Sequence, residues 1–150
     1  MNDNTARHGE YWISTDHDKI DVDVVHQFLS KESGWANGIS RELVEESLRH
    51  SLCFSAFQQD RMVGFCRIIT DMATFGNLVD VFVVPDMRGH GISRLLMDEV
   101  MAHPVVRKLR RFTLATSTAH GLYEKYGFTP LSKPGSFMEV YKPTIYLDAQ

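Results

Sequence analysis

The sequence predicts an α/β fold of the α+β type, in a single domain that spans residues 1–150. Its composition, 43% hydrophobic and 23% charged, is typical of a globular domain with one core. Short apolar runs of strand length alternate with segments of helical periodicity. This alternation favours a sheet with helices packed against it. Residues 1 to about 9 are polar, and we expect them to be flexible.

The predicted elements follow one another without a long linker. A strand at 11–15 precedes two amphipathic helices, the first capped by Asp21 and the second by Ser40. Strands at 52–57 and 62–70 should form a hairpin. The rest of the chain predicts a strand at 77–84, a helix that reaches about His103 before Pro104, a strand near Phe112, a helix at 123–126 and a late strand at 137–141.

The segment 79–97 carries the clearest functional signal. Its first six residues are a mostly β-branched run, and Pro85 ends this strand because proline has no amide to donate. Gly89 and Gly91 lack a Cβ atom, so the backbone can turn tightly and a ligand can approach its N–H groups. Helical spacing begins at Ile92. Free amides at a helix start favour an anion, most naturally a phosphate.

The loop before this helix excludes two common nucleotide-binding motifs. The dinucleotide motif G-x-G-x-x-G has Arg94 at its third glycine, and the P-loop pattern is absent. The loop instead fits Arg/Gln-x-x-Gly-x-Gly/Ala, with Arg88, Gly91 and Ser93 at the defined positions. It resembles the acyl-CoA pyrophosphate loop of the GNAT superfamily of N-acetyltransferases, from which Ser93 departs as a small residue. Taken alone, the loop is also compatible with an exposed turn before a core helix.

A second motif strengthens the resemblance. Residues 122–128, Leu-Tyr-Glu-Lys-Tyr-Gly-Phe, resemble the short GNAT helix that carries L-Y-x-x-x-G-F, with Gly127 at its C-cap. Both motifs occur in the expected order and spacing, and the resemblance covers roughly 11–141. It implies the GNAT fold, a mixed central sheet of about six to seven strands with splayed central strands, flanked by about four helices.

The resemblance implies an acyl-CoA-dependent N-acetyltransferase, which moves an acetyl group from acetyl-CoA directly to a primary amine of a small molecule or peptide. Main-chain N–H groups of the loop would hold the pyrophosphate, and His90 should point outward. The strand before the loop would pair with the pantetheine arm, and one of its amides would polarise the thioester carbonyl. The implied coenzyme-binding residues are Val81, Phe82, Val83, Arg88, Gly89, His90, Gly91, Ile92, Ser93 and Arg94.

Tyr123 matches the general acid of the family. A phenol with a pKa of about 10 is reasonably matched to a leaving thiolate with a reference pKa of about 8–9. The alternative is a tyrosine that packs in the core with its hydroxyl bonded. For Tyr126, on a usual apolar position of the motif, we favour this packing role.

The general base is less well defined by the sequence. Asp80 is the best candidate, because an acid within an apolar strand has a cost that function would explain. A structural role, accepting hydrogen bonds from nearby backbone or from Arg88, is the alternative. The positions of two family glutamates are Arg111 and Asn77 here, so no family base transfers. His120 is an alternative proton carrier.

The sequence leaves the acceptor open. Trp35 and Phe75 are candidates for its pocket, Trp12 is a weaker one, and Trp35 could equally be a packing anchor. Two other functions remain: an acyl-CoA-binding module with little catalysis, and an acetyltransferase toxin that acts on aminoacyl-tRNA. The toxin hypothesis rests only on the basic cluster 107–111.

Charge and cysteine content set the remaining expectations. The net charge of −3 favours neither nucleic acid nor a membrane as partner, and no membrane-length apolar run or signal peptide is recognised. Cys53 and Cys66 have no metal-ligand spacing, so we expect reduced core cysteines, no metal and a cytoplasmic location. The expected partner is an amine acceptor, with a homodimer as an open alternative.

Overall fold

One six-stranded sheet organises the computed structural model, which describes residues 5–148. Its strands lie in chain order: β1 (Thr5–His8), β2 (Tyr11–Ser14), β3 (Ser51–Gln58), β4 (Arg61–Thr70), β5 (Phe75–Val83) and β6 (Arg111–Leu114). Neighbouring strands are antiparallel except β5 and β6, which are parallel. The predicted α/β class with a mixed sheet is therefore confirmed.

Six α-helices accompany the sheet in the described part of the chain: α1 (Val22–Lys31), α2 (Arg41–Arg49), α3 (Ile92–Ala102), α4 (Pro104–Lys108), α5 (His120–Glu124) and α6 (Ile145–Asp148). The sequence predicted fewer because it missed two short ones, α4 and α6. Pro104 was expected only to interrupt the chain, but it also begins α4, where a missing N–H costs nothing. Between residues 5 and 148, no helix has the length and apolarity that a bilayer crossing requires.

The predicted helix caps and hairpin are confirmed. The Asp21 side chain accepts a hydrogen bond from the Val24 amide at 3.3 Å, and the Ser40 hydroxyl accepts one from the Leu43 amide at 3.2 Å. The β3–β4 hairpin turns at Gln59, which adopts a positive φ of 54°. These local signals are reliable because each side chain satisfies an amide that the helix itself leaves unpaired.

Two cores lie on the opposite faces of the sheet. One face packs against α3, α4 and α5, and the other packs against α1 and α2. Alternate residues of β3 divide between them: Phe54 joins the first core and Cys53 joins the second. Both cysteines are free and buried, as predicted.

Two local predictions are wrong. The segment predicted as flexible includes Thr5–His8, which pair with Tyr11–Ser14 in a hairpin; residues 1–4 lie outside the described range. The predicted late strand at 137–141 pairs with no strand of the described chain, and most of its side chains are exposed. The first prediction was wrong because the polar composition of Thr5–His8 gave no strand signal. The second was wrong because a β-prone composition does not supply a pairing partner for the segment 137–141.

A β-bulge in β5 interrupts its pairing with β4. Arg67 is opposite Val79 and Phe65 is opposite Phe82, so two residues of β5, Asp80 and Val81, face one residue of β4. On the other side, the parallel pairing with β6 ends at Leu78 and Leu114. β6 ends at this point, and β5 continues to Val83 without a strand partner on this side among the described residues.

Candidate active site

The loop that joins β5 to α3 presents backbone amides without intrahelical partners. Gly91 is the N-cap of α3 with a φ of 80°, and no side chain caps this helix start. Gly89 has a φ of 83°, so both positions lie in the left-handed region that glycine adopts at little cost. A Cβ atom at either glycine would meet no heavy atom of the described chain within 4 Å. The loop is therefore open to a ligand, and the helix dipole favours an anion there.

Side chains of the same loop stabilise its backbone. His90 is exposed, and its Nδ1 donates to the Met87 carbonyl oxygen at 3.0 Å. The Arg88 Nε donates to the Val83 carbonyl oxygen at 3.2 Å. Because these contacts are made to carbonyl groups, they shape the turn without using the amides that face outward.

A cleft of about 650 Å³ lies where β5 separates from β6. Arg67 and Asp80 are the charged residues among its described lining, and their opposite charges leave the lining with no net formal charge. The other lining residues that matter for the site come from several elements: Trp35 from the α1–α2 loop, Val81 from β5, residues 114–119 after β6, Tyr123 from α5 and Tyr146 from α6.

Asp80 anchors one wall of the cleft. Its Oδ1 accepts a hydrogen bond from Trp35 Nε1 at 3.0 Å, and its Oδ2 accepts one from Arg67 Nε at 2.6 Å. Arg67 also donates to the Ser51 hydroxyl at 2.9 Å. The Asp80 side chain is 7% exposed and that of Arg67 is 15% exposed, so the ion pair is largely buried. The φ of 56° at Asp80 is one that aspartate tolerates better than most residues.

Tyr123 of α5 lines the same cleft. The residue is 9% exposed and its ring meets Phe128 edge-on at 5.9 Å. Within residues 5–148 the hydroxyl has no hydrogen-bond partner. Burial, with a smaller contribution from Cys66, raises the pKa of Tyr123 above its usual value near 10. The phenol is therefore protonated at neutral pH, and its hydroxyl can donate a hydrogen bond.

The comparison with known families decides the classification. Residues 49–130, more than half of the chain, match the family described as Acetyltransferase (GNAT) domain. The chain belongs to the GNAT family of acetyltransferases. Both predicted GNAT motifs, at 88–94 and 122–128, fall within the matched range, and the resemblance drawn from the sequence is confirmed.

Several known proteins are similar to this chain. A Xanthomonas campestris pv. campestris protein assigned to the GNAT family is 51% identical, with 93% of this chain and 97% of that chain covered and a TM-score of 0.89. A Gibberella zeae protein that carries the name of an acetyltransferase is 29% identical, over 78% of this chain and 77% of the relative. A Clostridium acetobutylicum structure with acetyl-CoA shares the fold at 19% identity and a TM-score of 0.59, over 87% and 94% of the two chains.

In this GNAT chain the structure brings together four of the residues predicted for the site. Tyr123, Asp80, Trp35 and Val81 line one cleft. Phe75, predicted for the acceptor pocket, instead begins β5 and lies five residues, or about 17 Å of strand, from Asp80. It does not line the cleft. Phe75 follows the turn between β4 and β5, and the sequence does not indicate at which end of the sheet that turn lies.

Three further candidates occupy other surroundings. Trp12 stacks on Phe57 with ring centroids 4.2 Å apart, outside the cleft lining. His120 is exposed at the start of α5. Tyr126 packs partly buried against the first core, as predicted, and burial raises its pKa.

Sequence reasoning missed two residues of the site. Arg67 is a lone cation in the apolar run of β4. A charge within an apolar strand has a cost that function would explain, as was argued for Asp80. Two opposite charges in neighbouring apolar strands therefore predict an ion pair. Tyr146 reaches the cleft from α6. No motif marks it, because its position depends on how the chain returns after Phe128.

Proposed function

We propose that this GNAT chain transfers an acetyl group from acetyl-CoA directly to a primary amine of a small molecule or peptide. The observation that carries the proposal is the cleft at the end of the β5–β6 pairing, which Tyr123 lines together with Val81 from the part of β5 that β6 does not pair with. The anion-binding loop follows that same strand. A donor with a phosphate end and a reactive thioester end suits this linear arrangement.

The residues of the loop fit the pyrophosphate of acetyl-CoA. Gly89 and Gly91 leave open space above the backbone, and the start of α3 supplies amides and the positive end of a helix dipole. Of the predicted strand contacts, Val81 lies in the bulge and lines the cleft, whereas Phe82 and Val83 pair with Phe65 and Gly64 of β4. Their backbone is available to an extended arm on the other side of β5, where β6 has ended.

Acetyl-CoA would supply the thioester. Transfer of its acetyl group to an amine gives an amide and the free thiol of coenzyme A. Tyr123 would donate the proton that the leaving sulfur needs, because its hydroxyl is protonated and lacks a partner within residues 5–148. A backbone amide of β5 after the bulge would stabilise the developing oxyanion, a contribution of about 3–4 kcal/mol in other enzymes. Asp80 is the base that the sequence suggested, but both of its oxygens already accept hydrogen bonds, which favours a structural role.

The acceptor is tested with a panel of primary amines. Acetyl-CoA and the protein should release free thiol with at least one class of alkyl amine, amino sugar, aminoacyl compound or peptide N-terminus, at a rate well above that with acetyl-CoA alone. Acetyl-CoA binding without thiol release from any amine would instead support the binding-module hypothesis. The tRNA hypothesis has no support from the cleft, since no residue of the cluster 107–111 lines it.

The coenzyme loop gives a second test. Gly91→Ala should lose most of the thermal stabilisation by acetyl-CoA, because the added Cβ occupies the open side of the loop and strains the φ of 80° at the helix start. For the wild type, ligand at 100 times its Kd stabilises the native state by about 2.7 kcal/mol. The measurement is the shift in Tm with and without acetyl-CoA.

Gly9→Ala is the matched control for backbone strain. Gly9 also has a positive φ, 65°, and open space around its missing Cβ, but it lies in the turn between β1 and β2. Both variants should lower the Tm of the free protein by a similar amount, and Gly9→Ala should keep the ligand-induced shift. A folded Gly91→Ala variant with an unchanged shift would remove the loop from coenzyme binding.

A further inference from the structure

The charged groups of the cleft are engaged with each other. Asp80 is the anion of the described lining, and its two oxygens accept hydrogen bonds from Trp35 Nε1 at 3.0 Å and Arg67 Nε at 2.6 Å. If Asp80 took a proton from an acceptor, the largely buried Arg67 would lose its counter-ion. The part of the lining that the structure describes contains no histidine. The cleft therefore suits an amine that is already neutral when it binds.

The guanidinium of Arg67 has hydrogen-bond donors left for a ligand. A guanidinium carries five N–H groups in a planar fork. Nε donates to Asp80 and Nη1 donates to the Ser51 hydroxyl, whereas Nη2 donates to no described residue. The buried side-chain polar atoms without a partner in this part of the chain are Thr15 Oγ1 and Ser55 Oγ, so Nη2 keeps an accessible surface. Because Arg67 lines the cleft, Nη2 can donate to an oxygen of a bound acceptor.

The ion pair favours an uncharged oxygen over a carboxylate. Asp80 cancels the formal charge of Arg67, so the described lining offers no net positive charge to an anion. A carboxylate at Nη2 would stand beside that of Asp80, and like charges at short range repel strongly in a largely buried site. A carbonyl oxygen accepts the same hydrogen bond without this cost.

An α-amino carbonyl compound meets both conditions in one molecule. Its carbonyl group withdraws electrons from the amine, so the pKa of a peptide α-amino group is about 7.7–8.0, compared with about 10.4 for the lysine amine. At pH 7.5 about a third of the α-amino groups are neutral, against roughly one in 800 of the lysine amines. The apolar lining, which includes Leu29, Trp35 and Ile39, suits an apolar side chain.

We propose that the acceptor is an uncharged α-amino carbonyl compound with an apolar side chain, an amino acid amide or a peptide N-terminus, whose carbonyl oxygen binds Arg67. The inference rests on the proposed acetyl transfer and specifies its acceptor. The neutral amine attacks the thioester carbon, an N–C bond replaces the C–S bond, and Tyr123 gives its proton to the leaving sulfur. The nitrogen then releases one proton, which restores the phenol, so the products are an amide and a thiol.

The first test compares three compounds that share a benzyl side chain: phenylalaninamide, phenylalanine and phenethylamine. At pH 7.5 the kcat/KM of thiol release should be at least about tenfold higher for phenylalaninamide than for the other two, because its amine is largely neutral and its carbonyl is uncharged. With rising pH, kcat/KM should level off above about pH 8 for phenylalaninamide and keep rising for phenethylamine. Tyr123 stays protonated over this range, since burial raises its pKa. Equal values at pH 7.5, or a plateau near neutrality for phenethylamine, would overturn the proposal.

Arg67→Lys tests the carbonyl contact. Lysine keeps a positive charge beside Asp80 but has no planar fork. The kcat/KM for phenylalaninamide relative to aniline, which is neutral at pH 7.5 but lacks the carbonyl, should fall at least about fivefold. Arg61→Lys is the matched control and should keep this ratio, because Arg61 lies on the same strand and pairs with Asp86 at 2.7 Å outside the cleft lining. An unchanged ratio in Arg67→Lys would contradict the contact, and the first test does not depend on this variant folding.

Two further comparisons separate the source of the acceptor and the level at which the proposal could fail. A tetrapeptide that begins with phenylalanine, compared with phenylalaninamide, distinguishes a peptide N-terminus from a small amide, and a preference for either supports the shared chemistry. Thiol release that favours strongly basic alkyl amines would overturn this inference alone. Binding of acetyl-CoA without thiol release from any amine would overturn the proposed function, and this inference with it.

Discussion

Replacing Tyr123 with phenylalanine should lower turnover about 10²–10⁴-fold if proton donation to the leaving thiolate limits the rate. The change removes only a hydroxyl that has no partner within residues 5–148, so it leaves no buried polar group unpaired. The ring contact with Phe128 is retained. Stability and acetyl-CoA affinity should therefore stay close to those of the wild type. The measurements are kcat with a verified amine and the acetyl-CoA-induced shift in Tm.

Tyr126→Phe is the matched control for this change. Tyr126 belongs to the same motif and packs partly buried against the same core, and its hydroxyl makes a long contact of 3.5 Å to the Arg94 carbonyl oxygen and interacts with Asp98. The control should retain nearly full turnover. If Tyr123→Phe lowers kcat less than threefold while chemistry is rate-limiting, Tyr123 has a packing role and the thiolate leaves without it.

Much of the fold follows from local signals in the sequence. Asp21 and Ser40 mark helix starts because each accepts a hydrogen bond from an amide that the helix leaves free. Gly89 and Gly91 mark the loop because their positive φ values exclude most other residues. The two GNAT motifs could be recognised for the same reason: each is a contiguous segment whose backbone geometry restricts its residue types.

What the sequence could not predict depends on contacts between distant segments. The bulge at Asp80 is a difference in register between β4 and β5, and neither strand alone carries it. The partner of Asp80 was expected to be nearby backbone or Arg88, but it is Arg67 together with Trp35, 45 residues away along the chain. The prediction of a late strand at 137–141 was wrong because a strand needs a pairing partner, and this segment pairs with no strand among residues 5–148.

The second large effect is expected at Asp80. Asp80→Asn should lower the free energy of unfolding by about 3 kcal/mol, because it leaves the largely buried Arg67 without its counter-ion. Asparagine tolerates a positive φ as aspartate does, so backbone strain does not contribute. It can also still accept the hydrogen bond from Trp35. The measurement is the denaturant midpoint and slope of both proteins.

Arg67→Met in the Asp80→Asn background separates the ion pair from catalysis. Removing both charges should restore most of the lost stability, since no unpaired charge then remains in the wall.

If Asp80 acts by holding this wall, Asp80→Asn should reduce kcat/KM for an alkyl amine and an arylamine alike, and the double variant should recover both in part. A base has a different signature: the alkyl amine, protonated at neutral pH, needs a proton removed, whereas the arylamine does not. Because both Asp80 oxygens already accept hydrogen bonds, we expect equal losses. A loss confined to the alkyl amine, persisting in a stable double variant, would establish Asp80 as the base.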